Sequence, residues 1–477
     1  MTKEHNYDVA IIGAGIGGLV CGCYLAKAGL KTLIVEKNTH AGGYCTSFSR
    51  QGYRFDACVH FFSTLRKDGK FRKILDALGL FEKLKFTKHD PSDIIITPDC
   101  KIGLFKDINR TIEEFQKHFP KEKNSISKFC KYIVSTPAIS LASLRGTTLE
   151  ELLNSYFSDN ALKNIFSTLI LGLAGYPSHQ ISALVACIIL KEFILFDGGY
   201  YPEGGMQAFA DALVSNFVSN GGKTLFKNKV KNIVVHGNKA VGIVTEKKET
   251  FSAKYIISAC DTRQTYYDLI GEELIKKDLV DKINNLVPSY SAFCVYLGID
   301  DDFLLPEELR TNIWLINSNS SQEVFDKMLK CESLYLGMTS PSIKAISSAK
   351  GKQTLCLATS APFLGKDYWN NKKNREILES RLISLGEEVL PGYSKHISLK
   401  FNATPLTLYK RTLNYNGAAY GWAGKANQFG NPDLSGKTTI ENLYTVGHWT
   451  NMGSGISSVA NSGFDVADMI MHTNNIK

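Results

Sequence analysis

A mixed α/β chain, α+β overall, organised around a parallel sheet is what the sequence predicts, and three stretches carry that expectation. One is an apolar strand, a glycine-rich turn, a helix and a second strand near the start of the chain. Another is a run of alternating apolar and polar residues at 225–257. The third is a strand, a glycine-bearing turn and a long helix at 442–472. These stretches lie far apart in the chain.

The first stretch reads VAIIGAGIGGLVCGCYLAKAGLKTLIVEK, Val9 to Lys37. Tyr7 to Ile12 is short, apolar and β-branched, as a buried strand is. Gly13-x-Gly15-x-x-Gly18 follows at once, with Ile16 and Gly17 inside it, then a helical run closed by Gly29. In this βαβ context each glycine has its own task. Gly13 permits the tight turn, Gly15 lets the backbone approach a pyrophosphate, and Gly18 lets the helix lie close on the strand. The helix N-terminus then offers free N–H groups to the phosphates. Glu36 ends the second strand, where its carboxylate can accept both ribose hydroxyls and would repel a 2′-phosphate, which disfavours NADP.

NAD and FAD remain, and HAGGYCTSFSRQGYRFDACVHFF at 40–62 decides between them. The glycine pair Gly42-Gly43 lets the chain pass close under a second stretch of cofactor, for which an NAD enzyme has no need. From Val9 to Gly52 the sequence resembles the glutathione-reductase-type FAD fold of the amine oxidase and phytoene desaturase superfamily. The resemblance implies that Gly13, Gly15, Ile16, Gly17, Gly18, Glu36 and Lys37 hold the ADP half of FAD. It implies that Gly42, Gly43, Tyr44, Thr46 and Ser47 begin the isoalloxazine site. The 225–257 stretch, three strands and a hairpin with turns at HGNK and KKET, looks like the family's second FAD segment, with the Val230 backbone against adenine. The C-terminal segment would close over the flavin through Gly447, His448, Gly455 and Ile456. The amino end of its helix would face the N1/C2=O edge, where the helix dipole favours anionic reduced flavin. His448 stands where many relatives carry an acidic residue or alanine.

Four features narrow the branch. FDACVHFF at 55–62 is similar to the FDxG-hydrophobic-His stretch of retinol saturases, with Cys58 in place of the usual glycine. YYPEGGMQAFADAL at 200–213 looks like the YPxGGM segment of the desaturase–isomerase group. ATPLTLYKRTLNYNGAAYGW at 403–422 and VGHWTNMGSG at 446–455 resemble carotenoid isomerases and retinol saturases. Tyr44 replaces the arginine that usually follows the glycine pair in amine oxidases.

The expected organisation is an FAD-binding domain from 1–84, 200–287 and 400–477, with a mixed α/β substrate domain from 85–199 and 288–399. The 85–199 part reads as helical, with starts at TTLEELLNSYF and DNALKNIFSTLI. The 288–399 part mixes strands (SAFCVYLGI, QTLCLATSAP) with a lysine-rich helix. Residues 164–190 lack Asp, Glu, Lys and Arg, but GLAGYPSHQIS at 172–182 interrupts them. Two short apolar helices joined by a turn are expected there, as buried core, as a tunnel wall or as a membrane-facing patch.

A net charge of +9, mostly scattered lysines, suits an anionic cofactor or a membrane surface and includes no dense basic block for nucleic acid. Eleven scattered cysteines, without a CxxC pair or zinc spacing, read as reduced cytosolic thiols and no metal site. MTKEHNYD leads straight into a strand, so no signal peptide is expected. The expected location is cytoplasmic, with peripheral membrane contact left open.

The chemistry that the resemblance implies is hydride exchange between a carbon and flavin N5, coupled to proton movement at the adjacent carbon. It runs as desaturation, saturation or redox-neutral isomerisation of a lipophilic polyene, isoprenoid or acyl chain. His60 is the first candidate for proton transfer, because imidazole titrates near neutrality; a satisfied buried histidine is the competing reading. Glu203 in YPEGG is the second, against a simple charge at a helix start, and Tyr420 is the third. Thr404 and Thr407 read as turn and cap residues. No second GxGxxG follows a strand, so no dedicated NAD(P)H domain is expected, and electrons would come from or go to a quinone, oxygen or a protein unless the reaction is redox neutral. A flavin amine oxidase releasing H2O2 and a non-catalytic flavoprotein are the alternatives.

Overall fold

The computed structural model describes residues 5–137, 139–344, 352–430, 434–451 and 453–475. β1 (His5–Ile12) lies parallel to β2 (Thr32–Val35) on one side and to the strand Thr250–Ser258 on the other. Lys223–Leu225 extends the sheet beyond β2, again parallel. Thr250–Ser258 divides its other edge: its first half pairs antiparallel with Lys239–Thr245, and its last three residues pair parallel with Leu443–Thr445. The three separated segments therefore meet in one sheet, as the sequence led us to expect.

β1 is buried on both faces, and the period of two divides its side chains between two cores. Val9 and Ile11 pack with α1 (Ile16–Lys27) and the C-terminal helix Ile456–Thr473. Ala10 and Ile12 face the opposite side, towards Val230, Ile233 and Trp449. The two helices cross at contact distance: a Cβ built on Gly463 would stand 2.3 Å from the Gly17 carbonyl oxygen. Gly18 does what its motif position predicts, since a Cβ there would lie 2.4 Å from the Gly13 oxygen.

A second sheet runs in the order Ile397–Ala403, Ser291–Ile299, Gln353–Ala361, Tyr335–Thr339, Asn312–Ile316, Asp93–Ile96, Lys101–Leu104. One face packs on the long helix Lys372–Val389 through Leu378, Leu382 and Leu385. The other faces a helical layer and the cavity described below. Two sequence expectations need correction. The region 85–199, expected to be helical, contains the hairpin Asp93–Leu104, which adds two strands to this sheet. The boundary expected at residue 400 falls inside Ile397–Ala403, which pairs with Ser291–Ile299.

The helical layer follows its sequence signals. Thr148 and Glu151 form a reciprocal capping box on Leu149–Tyr156, and Asp159 caps Asn160–Ala174. The apolar stretch is two helices, Asn160–Ala174 and Ala183–Ile189, separated by a turn that begins at Gly175 in the left-handed region. Among the described residues no helix is long and apolar enough to cross a membrane. Ala183–Ile189 continues into a wider π-helical turn, Leu190–Leu195, which places Phe193 in the cavity wall. All eleven cysteines are free thiols.

Candidate active site

The carboxyl ends of four parallel strands open onto one cavity of about 370 Å³. Ile12 and Gly13, Val35 and Glu36, Ala259 and Cys260, and Val446 and Gly447 all border it, as ligand crevices of such sheets do. Two helices aim uncapped amino ends at the same space. α1 starts after Gly15 and the C-terminal helix after Gly455, and neither has a side-chain cap or an acidic residue in its first turn. Both ends therefore present positive dipoles to the cavity. A Cβ added to Gly15 or Gly447 would meet nothing within 4 Å, so both glycines border open space wide enough for another molecule.

Glu36 anchors one end. Its carboxylate accepts the Ala14 N–H at 2.9 Å and the Asn38 N–H and side-chain amide at 2.8 Å each, which leaves acceptor capacity for a further partner. Lys37, Lys229, Val230 and Arg411 border the cavity too, and the charges of Glu36, Arg411 and Lys229 act on Lys37. Lys37 is held below the usual lysine range, by burial first. These features fit the ADP portion of FAD: open glycines and helix dipoles for the diphosphate, a carboxylate for the ribose.

Of the residues expected to touch the cofactor, Gly13, Gly15, Ile16, Gly17, Glu36, Lys37, Gly42, Gly43, Tyr44, Val230, Gly447, His448, Gly455 and Ile456 border the cavity. Gly18, Thr46 and Ser47 do not. Gly18 is spent on helix–strand packing, and Thr46 donates to the Gly43 carbonyl. Ser47 donates to Asp56 at 2.6 Å, and Asp56 in turn accepts Tyr201 and the Met206 N–H, a buried clasp between the 47–56 hairpin and the 200–206 turn.

Beyond the glycines the wall changes character. The inner face of the second sheet supplies Ala292, Cys294, Trp314, Gly337, Ala358 and Ser360, and the helical layer adds Gly172, Leu173, Ile189 and Phe193. His60 and Tyr420 border this part, as expected, but His60 does not titrate near neutrality. Burial, with the Lys344 charge behind it, pushes His60 down to about 3, and its Nδ1 has no partner. Burial takes His448 down to about 4. Tyr420 is pushed up by burial and donates to the Gly172 carbonyl at 2.7 Å. Glu203 is corrected outright. Its side chain is 61% exposed beside Lys85, 3.7 Å away, and it borders no part of the cavity.

Three positioning groups escaped the sequence reading. Asn414 bonds the Tyr44 hydroxyl at 3.1 Å, His448 Nε2 at 3.3 Å and, through its oxygen, Trp449 Nε1 at 2.9 Å. It lies within the 403–422 stretch already singled out, so the signal was present without a reason to choose it. Asp93 accepts Trp314 Nε1 at 2.9 Å and Asn312 Nδ2 at 3.2 Å. Lys344, 4% exposed, donates to Asn312 Oδ1 at 2.7 Å and to the His60 carbonyl at 3.1 Å. Burial lowers it to about 8, against the opposing pull of Asp93 and Asp56. Neither Asp93 nor Lys344 sits in a motif.

The model of the family described as "Flavin containing amine oxidoreductase" matches residues 16–471. A prolycopene isomerase from Daucus carota is 27% identical over 501 residues, covering 97% of this chain and 80% of that protein. A 1-hydroxycarotenoid 3,4-desaturase from Flavobacterium sp. is 26% identical over 509 residues, covering 97% and 99%. An oxidoreductase structure from Methanosarcina mazei superposes with a TM-score of 0.69 at 19% identity, covering 96% and 99%, and shares the fold.

Proposed function

The chain belongs to the flavin-containing amine oxidoreductase family, whose cofactor is FAD, and on that premise we propose that it exchanges a hydride with a C–C or C=C bond of a lipophilic molecule. FAD, when bound, supplies the hydride acceptor or donor at N5. Gly13, Gly15 and the amino end of α1 would receive the diphosphate, Glu36 the ribose and Val230 the adenine. Gly42, Gly43, Tyr44, Gly447, His448, Gly455 and Ile456 would border the ring.

One observation carries the substrate class. Among the described residues, Glu36 is the sole carboxylate of the cavity wall, and it stands at the nucleotide end. The chamber walled by Cys294, Trp314, Gly337, Phe193 and Tyr420 has no anion to hold an ammonium group, whereas its apolar faces suit a polyene, isoprenoid or acyl chain. The relatives named as a prolycopene isomerase and a carotenoid desaturase agree with that chemistry.

His60, His448 and Tyr420 are uncharged at neutral pH in this setting, because burial opposes imidazolium and phenolate alike. They act as neutral hydrogen-bonding groups that orient the reacting carbons and keep water from them. Unless the reaction is redox neutral, electrons pass to or from a quinone, oxygen or a protein, in the cytoplasm or with peripheral membrane contact.

Anaerobic incubation of the FAD-loaded protein with a panel of polyenes and a panel of amines tests this. Bleaching of the flavin band, or a changed isomer composition, with polyenes alone is expected. Peroxide release from amines in air, with silence towards every polyene, would reverse the assignment.

A further inference from the structure

We infer that Trp314 is a specificity-determining residue, a fixed wall that limits how large an apolar molecule the chamber admits. The inference rests on the lipophilic-substrate reading above. Trp314 stands in the middle of the second sheet, and the register places Gly337, Ala358 and Cys294 in one row beside it. All four border the cavity, so one large ring faces a floor of small residues.

The ring is closely packed and hydrogen-bonded. A Cβ on Gly172 of the helix Asn160–Ala174 would stand 2.6 Å from Trp314 Cζ3, and a Cβ on Gly337 would stand 3.6 Å from the same atom. The Gly172 carbonyl is itself held by the Tyr420 hydroxyl, so the helix is anchored against the ring. The indole N–H is held by Asp93 Oδ1 at 2.9 Å, a fully buried carboxylate that also takes the Asn312 amide. A tryptophan with its indole N–H bonded and its six-membered ring close against Gly172 has little room to swing aside for a longer or wider ligand. Nothing in the nucleotide end of the cavity needs the residue. Its bulk and its buried carboxylate partner are therefore explained by the shape of the chamber, and Asp93 acts as the positioning residue for the ring.

The test uses FAD-loaded wild type, W314A, W314F and G337V with a homologous series of all-trans polyene alcohols that differ by one isoprene unit. Binding is read from polyene fluorescence and tryptophan quenching without turnover, and kcat/KM is read wherever turnover occurs. The wild type should show a length cutoff. W314A should move it outward by at least one unit, with about a tenfold gain for the first member the wild type excludes, the scale on which apolar pockets discriminate a missing group. W314F, which keeps a ring but loses the Asp93 bond and part of the bulk, should move it outward by less than W314A does, and G337V should move it inward. A cutoff unchanged in both W314A and G337V, with normal flavin spectra, overturns this inference alone. A wild type that binds no member of the series overturns the lipophilic-substrate reading as well.

Discussion

Lowering the pH from 7.5 to 5 should destabilise this protein through two histidines of the cavity wall. In the folded chain His60 is held down to about 3 and His448 to about 4, both chiefly by burial. In the unfolded chain each returns to about 6.5. The folded-state values are depressed, so the unfolded state binds more protons at every pH between these limits. Stability is untouched above about pH 6.5 and is lost progressively below it. At pH 5 each unfolded imidazole lies about 1.5 units below its pKa, which favours unfolding by about 2 kcal/mol per ring, or about 4 kcal/mol for the pair.

Urea melts of wild type and of H60Q/H448Q at pH 7.5 and pH 5 read this directly. The wild type should lose about 4 kcal/mol more than the double variant over that interval. Histidine-selective NMR gives a second reading, in which both rings stay in their neutral forms down to pH 5. If either ring titrates near 6.5 in the folded protein, or if both melts shift equally with pH, the burial argument is wrong. The neutral-histidine chemistry proposed for the chamber would fall with it.

Three further outcomes follow from the same geometry. Gly15→Leu adds a side chain where no protein atom lies within 4 Å, at a position with φ −70°. The fold should lose at most about 1 kcal/mol, from the poorer N-cap, while the purified protein loses its yellow colour; full flavin absorbance retained by that variant contradicts a cofactor at the turn. Glu36→Gln weakens three N–H contacts and removes the anion. Charge-assisted bonds are worth about 1.5–3 kcal/mol each, so fluorescence titration should show FAD affinity at least about tenfold lower, and equal affinity would count against the ribose assignment. Glu203→Gln should leave turnover within experimental error of wild type, because the side chain is exposed and pairs only at distance with Lys85; a large loss in kcat would restore it as a reacting group.

The nucleotide half was legible in the sequence because its requirements are local. A turn that must bring backbone against phosphate needs Gly13 and Gly15 within a few residues of a strand, and a helix crossing at contact distance needs Gly18. The same holds for the caps: Thr148 with Glu151, and Thr404 with Thr407, are contacts between residues three apart. Glu203 failed for the opposite reason. Its neighbours Tyr201 and Pro202 are buried, but Glu203 itself lies just past the strand Tyr200–Pro202 that pairs with Phe86–Lys88, where its backbone N–H is held by the Lys85 carbonyl and its side chain reaches solvent.

What the sequence by itself determined is the βαβ nucleotide cradle and the division of the apolar 164–190 stretch into two helices, while its resemblance to a family implied the assembly of the sheet from three segments. Tertiary structure alone decided the chamber. Trp314 meets Asp93 because Asn312–Ile316 pairs in parallel with Asp93–Ile96, more than two hundred positions away in the chain. Lys344 reaches the His60 carbonyl across 284 positions. Nor is the depressed titration of His60 a property of FDACVHFF; it comes from the walls that exclude water around it. Local glycine and cap chemistry is written residue by residue, whereas burial and long-range charge exist only after the chain has closed on itself.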